Sequence, residues 1–133
     1  MAFDVAHHRL FLGCGNNLMA MMDSVTGKII TTVPIGQGVD ANAFDPGTQL
    51  AFASCRDGTV TIAHEDTTEK LTVVQTLKTE RGARTMALDT KTHRIYLAAV
   101  NYEPQPEGSK ERPKAIAGTF KILVYGLEKS QGR

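Results

Sequence analysis

Short apolar segments alternate with turn residues along most of the chain. Asn16-Asn17 and Asp57-Gly58 each follow an apolar run, and such residues adopt the positive φ of a hairpin turn at low cost. No segment carries the 3.6-residue period of an amphipathic helix. The pattern therefore predicts an all-β chain built from hairpins. The predicted strands include 10–14, 18–22, 28–33, 50–54, 59–63 and 71–77, with further turns at 23–27 and 65–69.

The same pattern occurs three times. From Phe3 to Phe44 is 41 residues, and from Phe44 to Leu88 is 44. A period of about 40–45 residues is typical of propeller blades with four strands each. The repeat therefore predicts about three β-propeller blades of four antiparallel strands. The matching segments are AFD at 2–4 with RLFLGC at 9–14, AFD at 43–45 with QLAFAS at 49–54, and ALD at 87–89 with RIYLAA at 94–99.

The repeat register predicts where each blade begins. Inner strands are expected at 39–44 and 84–88, whereas the matching part of the first unit starts at Met1. A third strand of the last unit is expected at 119–125. We therefore expect the chain to be the last three blades of a larger propeller. The predicted parts of this single domain are blade 1 at about 1–38, blade 2 at 39–81, blade 3 at 82–126 and a polar tail at 127–133.

An insertion at 101–118 interrupts the third unit. It contains three prolines and charges of both signs, which favours a loop that is ordered at its ends. Such a loop would project from one face of the propeller. Two interpretations are open: a mobile loop, or a lid or partner-binding loop.

Three blades do not close a ring, because natural propellers use about 4 to 8. An open stack of repeats exposes apolar surface and tends to associate. We expect a ring closed by homo-oligomerisation, with a six-blade homodimer favoured over a nine-blade homotrimer. A monomeric β-sandwich is the alternative. The bare faces are expected to carry Phe11, Leu12, Ile122 and Val124.

The segment 9–36 resembles the YVTN-type β-propeller repeat. The specific parts are the Asp23 turn with Thr26-Gly27-Lys28, and the Pro34-Ile35-Gly36 ending. The AFDP step at 43–46 is similar to the step that leads into the family's next unit. The resemblance covers about 1–100 and 118–126. It implies a YncE-like seven-bladed parent from a family with many roles, whose members are commonly periplasmic or secreted.

Composition narrows the function only by exclusion. The net charge is +1, from 15 Lys and Arg against 14 Asp and Glu. This balance offers no electrostatic case for nucleic acid or an anionic membrane as a partner. The apolar runs are much shorter than the roughly 20 residues of a membrane helix. The first ten residues lack the pattern of a signal peptide, and the compartment stays open.

Four residues of the predicted inner strands are candidates for a ligand site in the axial channel. Asp40 and Arg84 occupy equivalent places in neighbouring inner strands, and Asn42 and Met86 follow two residues later. An Asp and an Arg there either form a structural ion pair or clamp a polar ligand. We predict that all four line the channel.

Histidines are weak candidates for a metal site holding copper, zinc or calcium. His7 and His8 are adjacent and would point to opposite faces of a strand, which makes joint ligation of one ion awkward. His93 matches His8 in the repeat, which favours a role in the turn. His64 is expected at the end of a strand. A site shared by several chains around the axis is one way to assemble enough ligands.

The sulfur-containing residues favour packing over chemistry. Met19, Met21 and Met22 are predicted to pack in the core, with a soft copper site as the alternative. Cys14 and Cys55 form a disulfide, bind a metal or, most commonly for such residues, remain buried free thiols. Arg56 beside Cys55 is expected to lower the pKa of that thiol.

Two classes of function follow. The first is a β-propeller binding or scaffold protein, with a ligand in the axial channel or on the loop face. The alternative is an enzyme with a site shared between chains at the ring axis. The family resemblance permits a metal-dependent oxidoreductase or a lactonase-like hydrolase. The chain contains no G-x-S-x-G, Walker or GxGxxG motif, and binding is favoured.

Overall fold

A computed structural model describes residues 1–128, and in this range the chain consists of strands, turns and loops. The strands form three separate antiparallel sheets, consistent with propeller blades, which we call blades 1, 2 and 3. Blade 1 contains β1 (Ala2–Asp4), β2 (Arg9–Cys14), β3 (Leu18–Asp23) and β4 (Ile29–Pro34). Blade 2 contains β5 (Val39–Asp45), β6 (Leu50–Cys55), β7 (Thr59–Thr67) and β8 (Lys70–Lys78). Blade 3 contains β9 (Met86–Asp89), β10 (Arg94–Ala99) and β11 (Lys121–Tyr125).

The prediction of an all-β chain is confirmed within residues 1–128. Consecutive strands pair with each other in every sheet, which hairpin connections produce directly. Asn17 and Gly58 lie in the predicted turns with φ of 63° and 91°. Over the same residues no helix is long and apolar enough to span a membrane.

The register within the blades corrects one part of the repeat alignment. Each inner strand ends at an Asp, and the next strand begins five residues later. Gln49 therefore occupies the turn position of His8 and His93, and not that of Arg9. All three turn residues have positive φ, between 55° and 57°. The paired positions are Asp4 with Arg9, Asp45 with Leu50, and Asp89 with Arg94.

Three strands differ from their predicted bounds by two residues or more, one of them β11, which begins at Lys121 where a start at 119 was predicted. β7 continues to Thr67 and pairs Glu65 with Leu71, where a turn was predicted at 65–69. The polar run His64-Glu65-Asp66 is typical of a turn, yet these residues belong to β7, which pairs with β8. The inner strand of blade 3 begins at Met86, two residues after Arg84.

The core lies between the blades. One apolar cluster joins blades 1 and 2, and a second joins blades 2 and 3. Phe11 was expected on a bare face, but its side chain is fully buried and stacks on Phe44 with ring centroids 4.8 Å apart. Its alternating position on β2 points it toward blade 2. Ile122 and Val124 are half exposed on the open face of blade 3, as expected.

The insertion is anchored at its base. Tyr102 pairs with Ala115, and the Glu103 amide donates to the Lys114 carbonyl at 2.8 Å. The Tyr102 ring packs against Gly82, where a Cβ atom would lie 2.7 Å from the ring. The loop therefore begins and ends as a short hairpin against the turn before blade 3. Residues 129–133 of the predicted tail lie outside the described range.

Candidate functional sites

Each inner strand ends at an aspartate that organises the turn after it. Asp4, Asp45 and Asp89 each accept a hydrogen bond from the backbone amide two residues later. The residue three positions later supplies a side-chain partner to the same carboxylate. Blade 1 uses His7 at this position, where blades 2 and 3 use threonine.

Asp45 also joins two blades. Nδ1 of His93 from blade 3 donates to its Oδ2 at 2.5 Å, and the carboxylate of Asp45 is buried. The positive φ of His93 turns its ring toward the preceding blade. The predicted turn role of His8 and His93 is confirmed by their backbone geometry.

The junction of blades 1 and 2 brings three potential ligands together. Oδ2 of Asp4 accepts from Nδ1 of His7 at 2.6 Å, and the Glu65 carboxylate from β7 lies against this pair. One ligand atom from each residue lies within 4.8 Å of the other two. Asp4 and Glu65 are buried, whereas the His7 side chain reaches solvent.

Glu65 is the unusual member of this cluster. Its side chain is 4% exposed, no donor group reaches either carboxylate oxygen, and the Asp4 carboxyl is its polar neighbour. The charge of Arg9 acts on Glu65, but its guanidinium donates to the Thr68 carbonyl and to the Asp23 carboxylate. A buried, unsatisfied carboxylate is costly, and native proteins rarely retain one without a reason.

The electrostatics of the cluster follow from burial and proximity. Burial, and then the neighbouring Asp4 carboxyl, raise the pKa of Glu65 to about 7. Burial is the largest influence on Asp4 and raises its pKa, but the hydrogen bonds with His7 and Glu65 and the charge of His7 together outweigh it, and the net shift is downward. The hydrogen bond with Asp4 and the charge of Asp4 raise the pKa of His7. Asp4 and His7 thus favour their ionised forms, and Glu65 favours its neutral form.

Asp40 and Arg84 lie beside each other on neighbouring blades, as predicted. Asp40 is the extra residue of a bulge in β5, between the pairs Val39 with Cys55 and Ala41 with Ser54. Such bulges redirect a side chain out of the regular sheet pattern. Arg84 is held by its backbone, because the buried Ser54 hydroxyl donates to its carbonyl.

The ion pair between these two side chains is loose. Nε of Arg84 lies 4.0 Å from Oδ1 of Asp40, and both side chains are 42% exposed. An exposed pair at this distance contributes at most about 1 kcal/mol to stability. Both groups therefore retain hydrogen-bonding capacity toward solvent or a ligand.

The side chains of Asn42 and Met86 make structural contacts between the blades. Oδ1 of Asn42 accepts from the Gly13 amide of blade 1 at 2.9 Å, and its Nδ2 donates to the Phe52 carbonyl at 3.3 Å. Asn42 thus links blades 1 and 2. Met86 is half buried against the apolar cluster between blades 2 and 3. Their role in ligand binding stays a prediction.

The other candidates are placed apart from the Asp4 cluster. His64 lies within β7, with its Nδ1 2.6 Å from Oδ1 of Asp66. Met19 and Met21 are fully buried between blades 1 and 2, which confirms core packing. Both cysteines are free thiols, Cys55 buried and Cys14 half buried.

One expectation about reactivity was wrong. Burial, and then the charge of Asp57, raise the pKa of the Cys55 thiol to about 11, where Arg56 was expected to lower it. Arg56 is exposed, and the Cys55 side chain points into the sheet packing. At neutral pH Cys55 is therefore a protonated packing residue and a poor nucleophile.

Sequence reasoning found only one of the three clustered ligands. His7 was a candidate, but Asp4 and Glu65 were not. The recurrence of Asp at the end of each inner strand was a signal that would have identified Asp4. Glu65 carried no such signal, since the polar run around it is typical of an exposed turn. Its burial depends on how β7 packs against blade 1.

No family model and no curated protein matches the chain. Among solved structures, it is similar to the dihydro-heme d1 dehydrogenase NirN in complex with DHE. The TM-score is 0.56 at 18% sequence identity, and the match covers 77% of this chain. The chain spans 22% of the NirN chain. At this identity the likeness establishes the architecture, and we conclude that the chain has a β-propeller-like fold.

Proposed function

We propose that this protein is a β-propeller binding protein of the YncE-like YVTN type. In this proposal two copies complete a six-blade ring, and a polar ligand binds at the axis beside Asp40 and Arg84. The observation that carries the proposal is the repeated contact between blades. The apolar and polar groups that form this contact also lie on the open faces of blades 1 and 3, where residues 1–128 supply no neighbouring blade. NirN, captured in complex with DHE, is compatible with a small-molecule ligand on this fold.

The apolar half of the contact repeats at equivalent positions. Phe11 of blade 1 stacks on Phe44 of the next inner strand. One blade further on, Phe52 and Leu88 belong to the same apolar cluster. Tyr96 holds the corresponding position on β10 and faces away from blade 2.

Phe3 supplies the matching group at the other end of the chain. It occupies in β1 the place of Phe44 in β5, and it is 46% exposed on the face opposite to blade 2. In the ring, Tyr96 of one copy packs against Phe3 of the other. The same packing buries the exposed row of Ile122 and Val124.

The polar half of the contact is formed between blades 2 and 3. Gln49 takes the histidine position in blade 2, and its side chain donates to the Pro46 carbonyl instead. His93 donates to the buried Asp45 of the preceding blade. Asp89 holds the position of Asp45 in blade 3, and His8 holds the position of His93 in blade 1, with φ of 55°. In the ring, His8 of a second copy donates to Asp89. The open faces of blades 1 and 3 thus carry both the apolar and the polar groups of the contact. This favours a second copy of the chain as the partner of these faces.

The assembly is tested by the mass of the particle in solution. We expect native mass spectrometry to give a dimer of the 14.4 kDa chain. Phe3→Asp places a charge in the proposed interface and leaves the buried clusters intact, so it is expected to give a folded monomer. Val25→Asp is the control, because Val25 is 75% exposed in a hairpin turn. A wild-type monomer would refute ring closure, and a trimer would refute the six-blade ring.

The axial site is tested separately. A side-chain pair of opposite charge suits ligands that carry both charges, and free amino acids are the first probes. We expect at least one of them to raise the melting temperature of the wild-type protein, and Asp40→Ala or Arg84→Ala to abolish that shift. Both variants should retain the wild-type mass. An unchanged melting temperature across the whole panel would contradict this site. The enzyme alternative stays a prediction.

A further inference from the structure

We propose that Asp4, His7 and Glu65 form a binding site for a divalent transition-metal ion, with Zn²⁺ as the best fit, that bridges blades 1 and 2. The first observation is the geometry of the cluster. Three potential ligand atoms lie within 4.8 Å of one another, two from blade 1 and one from blade 2. Ligands at about 2.1 Å from a tetrahedral zinc ion lie roughly 3.4 Å apart, so small side-chain movements complete the site.

The second observation is the state of Glu65. Its carboxylate is nine-tenths buried, faces the Asp4–His7 pair and accepts no hydrogen bond at either oxygen. The nearby Arg9 is committed to Thr68 and Asp23. A cation at the cluster supplies the missing partner for Glu65, and it compensates the two buried carboxyl groups.

The donor set selects the class of ion. One imidazole nitrogen and two carboxylates suit zinc and related transition metals, since calcium and magnesium prefer oxygen ligands alone. Asp4 already holds the His7 ring in place at 2.6 Å. On binding, the ion takes the place of the proton between these two groups. The exposed His7 ring leaves a route from solvent, and water completes the coordination.

This inference does not depend on the ring, because all three ligands belong to one chain. The test uses the full chain, freed of metal with EDTA and then dialysed. We expect isothermal titration with Zn²⁺ to give one ion per chain and Mn²⁺ to bind more weakly. Zinc should also raise the melting temperature, since a ligand that binds only the folded state stabilises it.

Two variants and a neighbouring control make the test specific. His7→Ala is expected to weaken zinc binding at least about tenfold, because even partners one shell further out cost 10- to 100-fold. Glu65→Gln is expected to do the same. His8→Ala is the matched control and should bind like the wild type.

Several results would overturn the site. One is the absence of stoichiometric zinc binding in the wild type. A second is wild-type affinity in His7→Ala, which would place the ion elsewhere, for example on a thiol. A third is an equal loss in His8→Ala. Because His7 is exposed, its replacement by alanine is expected to fold, and the test stands even if Glu65→Gln does not.

Discussion

Phe11→Ala is expected to lower the free energy of unfolding by about 3–5 kcal/mol. The Phe11 ring is fully buried and stacks on Phe44 across the junction of blades 1 and 2. Its removal leaves a cavity between two sheets whose backbones are held by their own hydrogen bonds, so the cavity closes only in part. Since domains of this size are stable by about 5–15 kcal/mol, the loss is a large fraction of the total. Urea denaturation followed by circular dichroism measures it.

Two further variants test whether this loss of stability comes from the buried ring. Phe11→Leu keeps most of the apolar volume and is expected to cost less than about 1.5 kcal/mol. Val25→Ala removes an exposed side chain in a turn and should change the stability by no more than about 0.5 kcal/mol. An effect of Phe11→Ala as small as that of Val25→Ala would show that the blades do not pack through this ring.

The metal-free chain is expected to lose stability as the pH rises from about 4.5 to about 7. Glu65 has a pKa of about 7 in the folded protein, against an ordinary value of 4.5. Between these values the folded chain binds a proton that the unfolded chain releases, so raising the pH favours unfolding. The full difference, about 3 kcal/mol, is reached above pH 7.

The pKa shifts of His7 and Asp4 change the dependence of stability on pH in opposite directions. The raised pKa of His7 stabilises the fold at low pH, and this contribution is also lost as the pH rises. The lowered pKa of Asp4 acts in the opposite sense, with stability lost as the pH falls below its ordinary value of 3.8. Above pH 4.5 the trend is therefore set by Glu65 and His7 together.

The variant Glu65→Gln isolates the contribution of Glu65 to this pH dependence of stability. This variant should show a flatter dependence of stability on pH, and it should exceed the wild type in stability above pH 7. Glu69→Gln is the control, because Glu69 is exposed in the next turn. Urea denaturation in EDTA, at one protein concentration and at pH 5 and 8, measures both. An unchanged slope in Glu65→Gln would contradict the role assigned to this carboxyl.

The strand pattern was predictable because it depends on local chemistry. Turn residues such as Asn17 and Gly58 adopt positive φ cheaply, and the apolar runs between the turns pair with their neighbours in sequence. The recurrence of His8 and His93 marked a turn position for the same reason. The alignment of Gln49 was wrong by one residue, because Gln49 precedes a leucine as Arg9 does, while its backbone conformation matches that of His8.

The candidate site was only partly predictable. Asp40 and Arg84 were placed together by the repeat, and their side chains do approach to 4.0 Å. Asn42 was expected at the same site, but its amide links Gly13 and Phe52. The repeat specifies which residues share a position. The packing between blades decides which of their side-chain atoms remain free to contact a ligand.

The sequence by itself determined the all-β character, the hairpin order and the period of the repeat, since these depend on residues close in the chain. The tertiary structure decided which side of each strand is buried. It turned Phe11 toward Phe44, and it buried Glu65 beside Asp4 and His7. Those contacts join residues that are 33 to 61 positions apart, from 11 to 44 and from 4 to 65. No local preference encodes them, and they arise only when one sheet packs against the next.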